Sequence, residues 1–181
     1  MNRLAILFAL MPMLASGQGL PFLVGGAYEL TDQNGTQRTH VDPDGHAQLL
    51  FFGYANCLQI CSSVLPQMAD ITDELATDGH IVRPIMITVD PEIDTVDTLG
   101  PALTAYHDAF VGLTGTEAEL QVAYDAFSVE KEFLFDDPEY GPVYAHGSFI
   151  YLLDGDGTTL TLIPPVLSDD EIIAIISKYI G

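Results

Sequence analysis

Cys57 and Cys61 are the only two cysteines in a chain of 181 residues, and three residues separate them. Two sulfurs at that spacing either cycle between dithiol and disulfide or bind a soft metal as thiolates. Their setting favours chemistry over packing. Gln48 to Tyr54 is an apolar, aromatic run of strand length, and Ser62 to Ala76 has helical spacing, with Val64, Leu65, Met68, Ile71, Thr72 and Leu75 on one side. The cysteines therefore fall where a buried strand hands over to a helix. Such a loop aims backbone N–H groups at its occupant, which is expected to lower a cysteine pKa and favour the thiolate.

Geometry separates the two uses of the pair only weakly. Residues i and i+4 of a regular helix have Cβ atoms about 5–6 Å apart, whereas a disulfide wants them about 3.5–4.5 Å apart. Two thiolates on one metal, at a bond length near the zinc–sulfur value of about 2.3 Å, stand about 3.7 Å apart. Metal fits slightly better, and a flexible loop still closes a disulfide at modest cost. A third ligand would have to come from the five histidines. His40 and His46 lie in a loop containing Gly, Asp and Pro, His80 follows the Asp78-Gly79 turn, and His107 sits beside Tyr106 and Asp108, all read as surface positions. His146 stands just before the apolar run Phe149 to Leu153. Sequence alone leaves it open between a structural residue and a ligand. Two soft sulfurs and one imidazole would suit Cu(I) or zinc, and imidazole helps retain Cu(II).

The elements that must position these residues follow from periodicity. Tyr28 to Arg38 reads as a hairpin around Asn34-Gly35. Gln48–Tyr54 is a strand, Ser62–Ala76 a helix and Ile81–Val89 a strand in which Pro84 suggests an edge or a bulge at its start. Asp94–Ala109 is partly helical with a break or restart expected at Gly100-Pro101. Phe110–Leu113 is a short strand, and Thr116–Phe127 a helix opened by a Thr116/Glu119 capping box. Asp136 to Pro142 reads as a loop; Tyr144–Leu153 and Thr158–Ile163 form a hairpin around Asp154-Gly155-Asp156-Gly157. Ser168–Ile180 closes the chain as a helix with Ser168 as its cap, acids in its first turn and Lys178 in its last. A β-α-β crossover followed by a hairpin and a terminal helix is an α/β, thioredoxin-like plan: a mixed central sheet with helices on both faces and an N-terminal β-hairpin.

Composition narrows the partners. Five Lys and Arg against 26 Asp and Glu give a formal charge of −21 and a pI near 4.1, which sets nucleic acid aside and argues against anionic membrane surfaces as partners. The acidity suits a solvated surface in a salty or extracellular medium. Residues 1–17 read as an export signal, with Arg3 in the n-region, an apolar run from Leu4 to Leu14 and the small residues Ala15-Ser16-Gly17 for cleavage. The alternative is an uncleaved anchor. Residues 18–181 then form one domain in an oxidising compartment, where a cysteine pair is joined, metal-bound or kept reduced by a partner.

Gly53-Tyr54-Ala55-Asn56-Cys57-Leu58-Gln59-Ile60-Cys61, Ile87-Thr88-Val89-Asp90-Pro91-Glu92-Ile93-Asp94-Thr95, Gly112-Leu113-Thr114-Gly115, and His146 ahead of Phe149-Ile150-Tyr151-Leu152-Leu153-Asp154 stand in order along the chain. Together they resemble the Sco/SenC family of copper-binding, thioredoxin-fold proteins from about Phe22 to the C-terminus. The resemblance implies that Cys57, Cys61 and His146 are copper ligands. It also implies a metallochaperone of the bacterial periplasm, soluble or tethered to the inner membrane, that delivers copper to a cytochrome c oxidase subunit or reduces the thiols of its dinuclear copper site. The enzymatic alternative is a thiol–disulfide oxidoreductase with Cys57 attacking and Cys61 resolving. A peroxidase is disfavoured, because Arg38 and Arg83, the arginines left after export, are not beside the cysteines in sequence.

Three positions depart from the family pattern. Ser62 replaces a proline after the second cysteine, Ala145 an acidic residue before the histidine and Gly147 a hydroxyl residue after it. The ligand set is retained, but Ala145 cannot orient or charge-balance the imidazole as a carboxylate would. Asp90-Pro91-Glu92-Ile93-Asp94 fits the family pattern, although on physical grounds alone it reads as a solvated turn.

Overall fold

The computed structural model describes residues 24–57 and 60–181. The export segment read at residues 1–17, its alternative as an anchor, and Leu58 and Gln59 of the cysteine loop lie outside the described residues. Along the chain run β1 (Glu29–Asp32), β2 (Gln37–Thr39), β3 (Ala47–Gly53), α1 (Cys61–Thr77), β4 (Val82–Thr88), α2 (Val96–Thr104) and β5 (Val111–Thr114). They are followed by α3 (Glu117–Phe127), β6 (Lys131–Asp137), β7 (Gly141–His146), β8 (Ile150–Leu153), β9 (Thr159–Ile163) and α4 (Asp169–Ile180). Among the described residues, no helix is long and apolar enough to cross a membrane.

Seven strands form one mixed sheet in the order β2-β1-β5-β4-β3-β8-β9, with β3, β4 and β5 parallel and the flanking pairs antiparallel. The N-terminal hairpin forms as expected: Gly35 turns it at φ +75°, and the Asp32 carboxylate accepts the N–H groups of Asn34 and Thr36 at 2.8 and 2.9 Å. Every residue of β3 from Gln48 to Gly53 is buried, because the sheet is covered on both faces. Alternation along the strand sorts the two faces. Phe52 packs its ring against Tyr124 and Phe127 of α3, whereas Gly53, one residue on, faces Cys61 at the start of α1. Each of the two phenylalanines, fully buried, contributes about 1.5–3 kcal/mol.

Gly112 is in register with Met86, and Met86 with Phe51, so Gly112 shares the α1 face. A Cβ there would come within 2.6 Å of Leu103, so only glycine lets α2 lie this close to β5. Helix α4 joins the same layer against α1, tied by Gln67 Nε2 donating to the Leu167 carbonyl and the Asp169 carboxylate, both at 3.0 Å. The Thr116/Glu119 and Ser168/Glu171 capping boxes both form.

Four expectations need correction. Pro84 is not on an edge: β4 is an internal strand, and the proline sits one residue before the β5 ladder begins at Ile85, where one neighbour makes no demand on its missing N–H. Helix α2 runs unbroken through Gly100-Pro101, since a proline in its second turn forfeits one hydrogen bond near a helix start. Tyr144–Leu153 is not one strand. It divides into β7 and β8, and β7 pairs with β6 in a separate two-stranded ribbon, so the segment Asp136 to Pro142 supplies strand ends and a turn instead of a long loop. Asp90 and Asp94 are each 1 % exposed, not solvated, because the turn folds back under the cysteine loop.

Candidate metal centre

The site is assembled from the loop after β3 and the end of β7. The chain leaves β3 through a turn in which the Cys57 N–H donates to the Tyr54 carbonyl at 3.2 Å. Cys57 thus precedes the helix and Cys61 is its first residue, so the pair does not occupy two turns of one regular helix. The Cys61 N–H, one of the free donors at a helix start, points at Cys57 Sγ from 3.4 Å. Gly53 makes room beneath: a Cβ there would lie 3.1 Å from Cys61 Sγ and 2.7 Å from the Phe51 ring.

His146 ends β7, and its ring packs edge-on against Phe51 and Tyr54 at centroid separations of 6.0 Å. Nδ1 lies 2.9 Å from the Gly147 carbonyl. A carbonyl oxygen only accepts, so Nδ1 carries the proton, and in the neutral ring Nε2 is left with its lone pair. That lone pair faces Cys61 Sγ at 3.9 Å. Cys57, Cys61 and His146 each offer a ligand atom, and all three atoms lie within 4.8 Å of one another. The sulfurs are buried and the imidazole half-buried. An open cleft lined by Ser128, Glu130, Glu132, Ala145, His146 and Gly147 leads up to the ring.

The Cys61 thiol is not activated in the way the loop suggested. The hydrogen bond with the neighbouring Cys57 sulfur, then burial and the Cys57 charge, push its pKa well above the ordinary thiol value. Two sulfurs this close share protons, and only a cation between them lets both ionise. A soft monovalent or divalent metal fits this donor set of two buried sulfurs and one correctly oriented imidazole nitrogen.

Sequence reasoning missed the groups that hold the site. The Asp94 carboxylate accepts the Ala55 N–H at 3.0 Å and the Thr88 hydroxyl at 2.7 Å, anchoring the cysteine loop to the end of β4. Burial, opposed by these two bonds, raises its pKa to about 6. The Tyr54 hydroxyl accepts the Tyr144 N–H at 3.4 Å while the two rings meet edge to face at 5.7 Å, which clamps β7 over the loop. The Asp90-x-x-x-Asp94 spacing was the available signal; nothing local announced the tyrosines. Where the family pattern has an acid before the histidine, Ala145 stands opposite Glu132 in the ribbon register, so a carboxylate is supplied to that cleft from the neighbouring strand.

Two of the other histidines, His107 and His46, are engaged elsewhere. His107 meets Asp73 at 3.1 Å. Asp42, Asp44 and His46 also bring three potential ligand atoms together, but Arg83 occupies that cluster, 3.4 Å from Asp42 and His46 and 2.9 Å from Asp44.

The SCO1/SenC family profile matches residues 17–181. A SCO2-like protein of Rickettsia felis is 36% identical over 140 residues, covering 76% of this chain and 67% of the relative. The structure of Bradyrhizobium japonicum ScoI with copper bound superposes with a TM-score of 0.75 at 28% identity, over 86% of this chain and 99% of that one. BsSco, a member of the Sco family of cytochrome c oxidase assembly proteins in which a disulfide switch was identified, does so with a TM-score of 0.67 at 26% identity, over 89% and 95%. A profile spanning nearly the whole chain, with the same fold in copper-binding company, leaves one assignment: the chain belongs to the SCO1/SenC family.

Proposed function

We propose that this chain is a copper metallochaperone. Cys57 and Cys61 bind copper as thiolates, His146 binds it through Nε2, and the metal passes by ligand exchange to the thiols of an exported or membrane-bound acceptor. The acceptor in this reading is a cytochrome c oxidase subunit whose copper centre is being assembled, and the compartment is the bacterial periplasm. The observation that carries the reading is the convergence of three donor atoms within 4.8 Å. The copper-bound relative and the oxidase-assembly relative support it.

Each residue has a defined task. The Gly147 carbonyl fixes the imidazole tautomer, Asp94 holds the loop that carries Cys57, and Phe51 and Gly53 shape the floor under Cys61. Binding displaces the thiol protons, and Cys61 holds its proton tightly. Copper affinity is therefore expected to rise with pH across the neutral range. Anaerobic titration of the purified chain should give an affinity that falls at least about tenfold in His146→Ala and is lost in Cys57→Ser and Cys61→Ser. An affinity indifferent to pH and to His146→Ala would sink the reading.

A second reading draws on the disulfide switch of BsSco and on the contact between the Cys61 N–H and Cys57 Sγ. Here Cys57 attacks a partner disulfide, Cys61 resolves the mixed disulfide, and two thiols are oxidised as one partner disulfide is reduced. Dithiol exchange that survives His146→Ala in a chain retaining no copper would favour this reading.

A further inference from the structure

The ribbon of β6 and β7 carries more exposed apolar surface than its own stability explains. Phe133, Leu134 and Phe135 are 53, 48 and 51 % exposed, and Tyr140 at the turn is 40 % exposed. A register shift between Phe133 and Phe135 puts three consecutive large side chains in solvent where a regular strand would turn one of them inward. Two-stranded ribbons are marginal by themselves. This one is secured at its base by Phe133 against Tyr144 and Tyr144 against Tyr54, leaving Leu134, Phe135 and Tyr140 outward. Phe149, three residues beyond His146, is 44 % exposed. An apolar patch adjoining a ligand is the signature of an interaction surface.

The rim of the patch is acidic. Glu130, Glu132, Asp136, Asp137 and Glu139 border it, and Lys131, the one nearby cation among the described residues, is taken up over the Tyr144 ring at 4.8 Å and beside Glu117 at 4.0 Å. His146 is in register with Lys131, Tyr144 with Phe133 and Val143 with Phe135, so at about 3.4 Å per residue of β7 Phe133 lies about 7 Å and Phe135 about 10 Å along the ribbon from the proposed copper ligand.

Resting on the copper-carrier reading, we propose that the β6–β7 ribbon is the docking surface for the copper acceptor, and that the acceptor presents an apolar patch ringed by Lys and Arg. The apolar tip supplies affinity and the acidic rim supplies orientation and encounter rate. Docking there sets the acceptor thiols beside the cleft that opens on His146. A second copy of this chain would bring like charges together, and an anionic lipid surface would be repelled.

The test uses the full chain and, as probe, the soluble copper-site domain of the source organism's cytochrome c oxidase. Dissociation constants for the copper-free chain are measured by fluorescence anisotropy, and copper affinity is measured separately. Leu134→Ser with Phe135→Ser spares Phe133, whose ring supports Tyr144. Asp136→Lys with Glu139→Lys reverses the rim. Each pair is expected to weaken docking about tenfold or more with copper affinity unchanged, and wild-type docking is expected to weaken between about 0.05 and about 0.5 M salt. Docking unaltered in both variants, or no docking by the wild-type chain, overturns the proposal while leaving the metal site standing. So does self-association, or binding to phosphatidylglycerol vesicles, that the apolar substitutions abolish.

Discussion

Asp94 is a buried acid whose charge is expensive, and that makes it measurable. Its folded pKa of about 6 stands above the ordinary 3.8. Between those values the folded chain holds the proton more tightly than the unfolded chain, so this group's contribution to stability is complete below about pH 4, is lost as pH rises to about 6, and is level above. Asp94→Asn keeps an acceptor for Ala55 N–H and the Thr88 hydroxyl but has no charge to bury. Relative to wild type, its unfolding free energy should gain up to about 3 kcal/mol between pH 4 and pH 7; an unchanged difference across that window would assign the shift elsewhere. Gly53 gives a second residue-scale test. A methyl group there meets Phe51 and Cys61 Sγ inside normal contact, so Gly53→Ala should cost about 1–3 kcal/mol and weaken copper binding at the same time.

At the scale of elements, the sulfur end of the site lies on one face of the sheet. Helix α1 presents Cys61 on the Gly53 face, while α3 packs on the Phe52 face. Damage to α3 should therefore reach stability without reaching copper. Thr116→Ala removes the hydroxyl that accepts the Glu119 N–H and should cost about 1 kcal/mol. Thermal melting should record the loss while copper titration gives the wild-type affinity; a matching fall in affinity would mean that the two layers are coupled through β3. The ribbon of β6 and β7 is the element that periodicity failed to find. Its first strand does not alternate, because the register shift leaves Phe133, Leu134 and Phe135 all exposed, and an apolar run of three residues is too short to read as a strand.

Across the whole molecule, a charge of −21 repels itself in the compact state. Screening relieves that repulsion, so the melting temperature should rise between about 0.05 and about 0.5 M sodium chloride. Melting that is indifferent to salt would mean that the acids are spaced widely enough not to interact. Against that excess the few cations matter where they are. Arg38 sits on Asp32 and Arg83 on Asp42 and Asp44.

The sequence by itself determined the frame and half of the centre. Strand, loop and helix around Cys57 and Cys61 follow from contact patterns a few residues long, the capping boxes from spacings of three, and the hairpin turn from one dipeptide. The family resemblance then marked His146, which its own neighbourhood left undecided. Only the tertiary structure decided that Nε2 faces Cys61 across a sequence separation of 85, that Gly147 supplies the orienting acceptor, that Asp94 lies beneath the cysteine loop, and that the Tyr54–Tyr144 pair clamps one to the other. Those are pairings between segments distant in sequence, set by which strands adjoin in the sheet, and no local propensity encodes them.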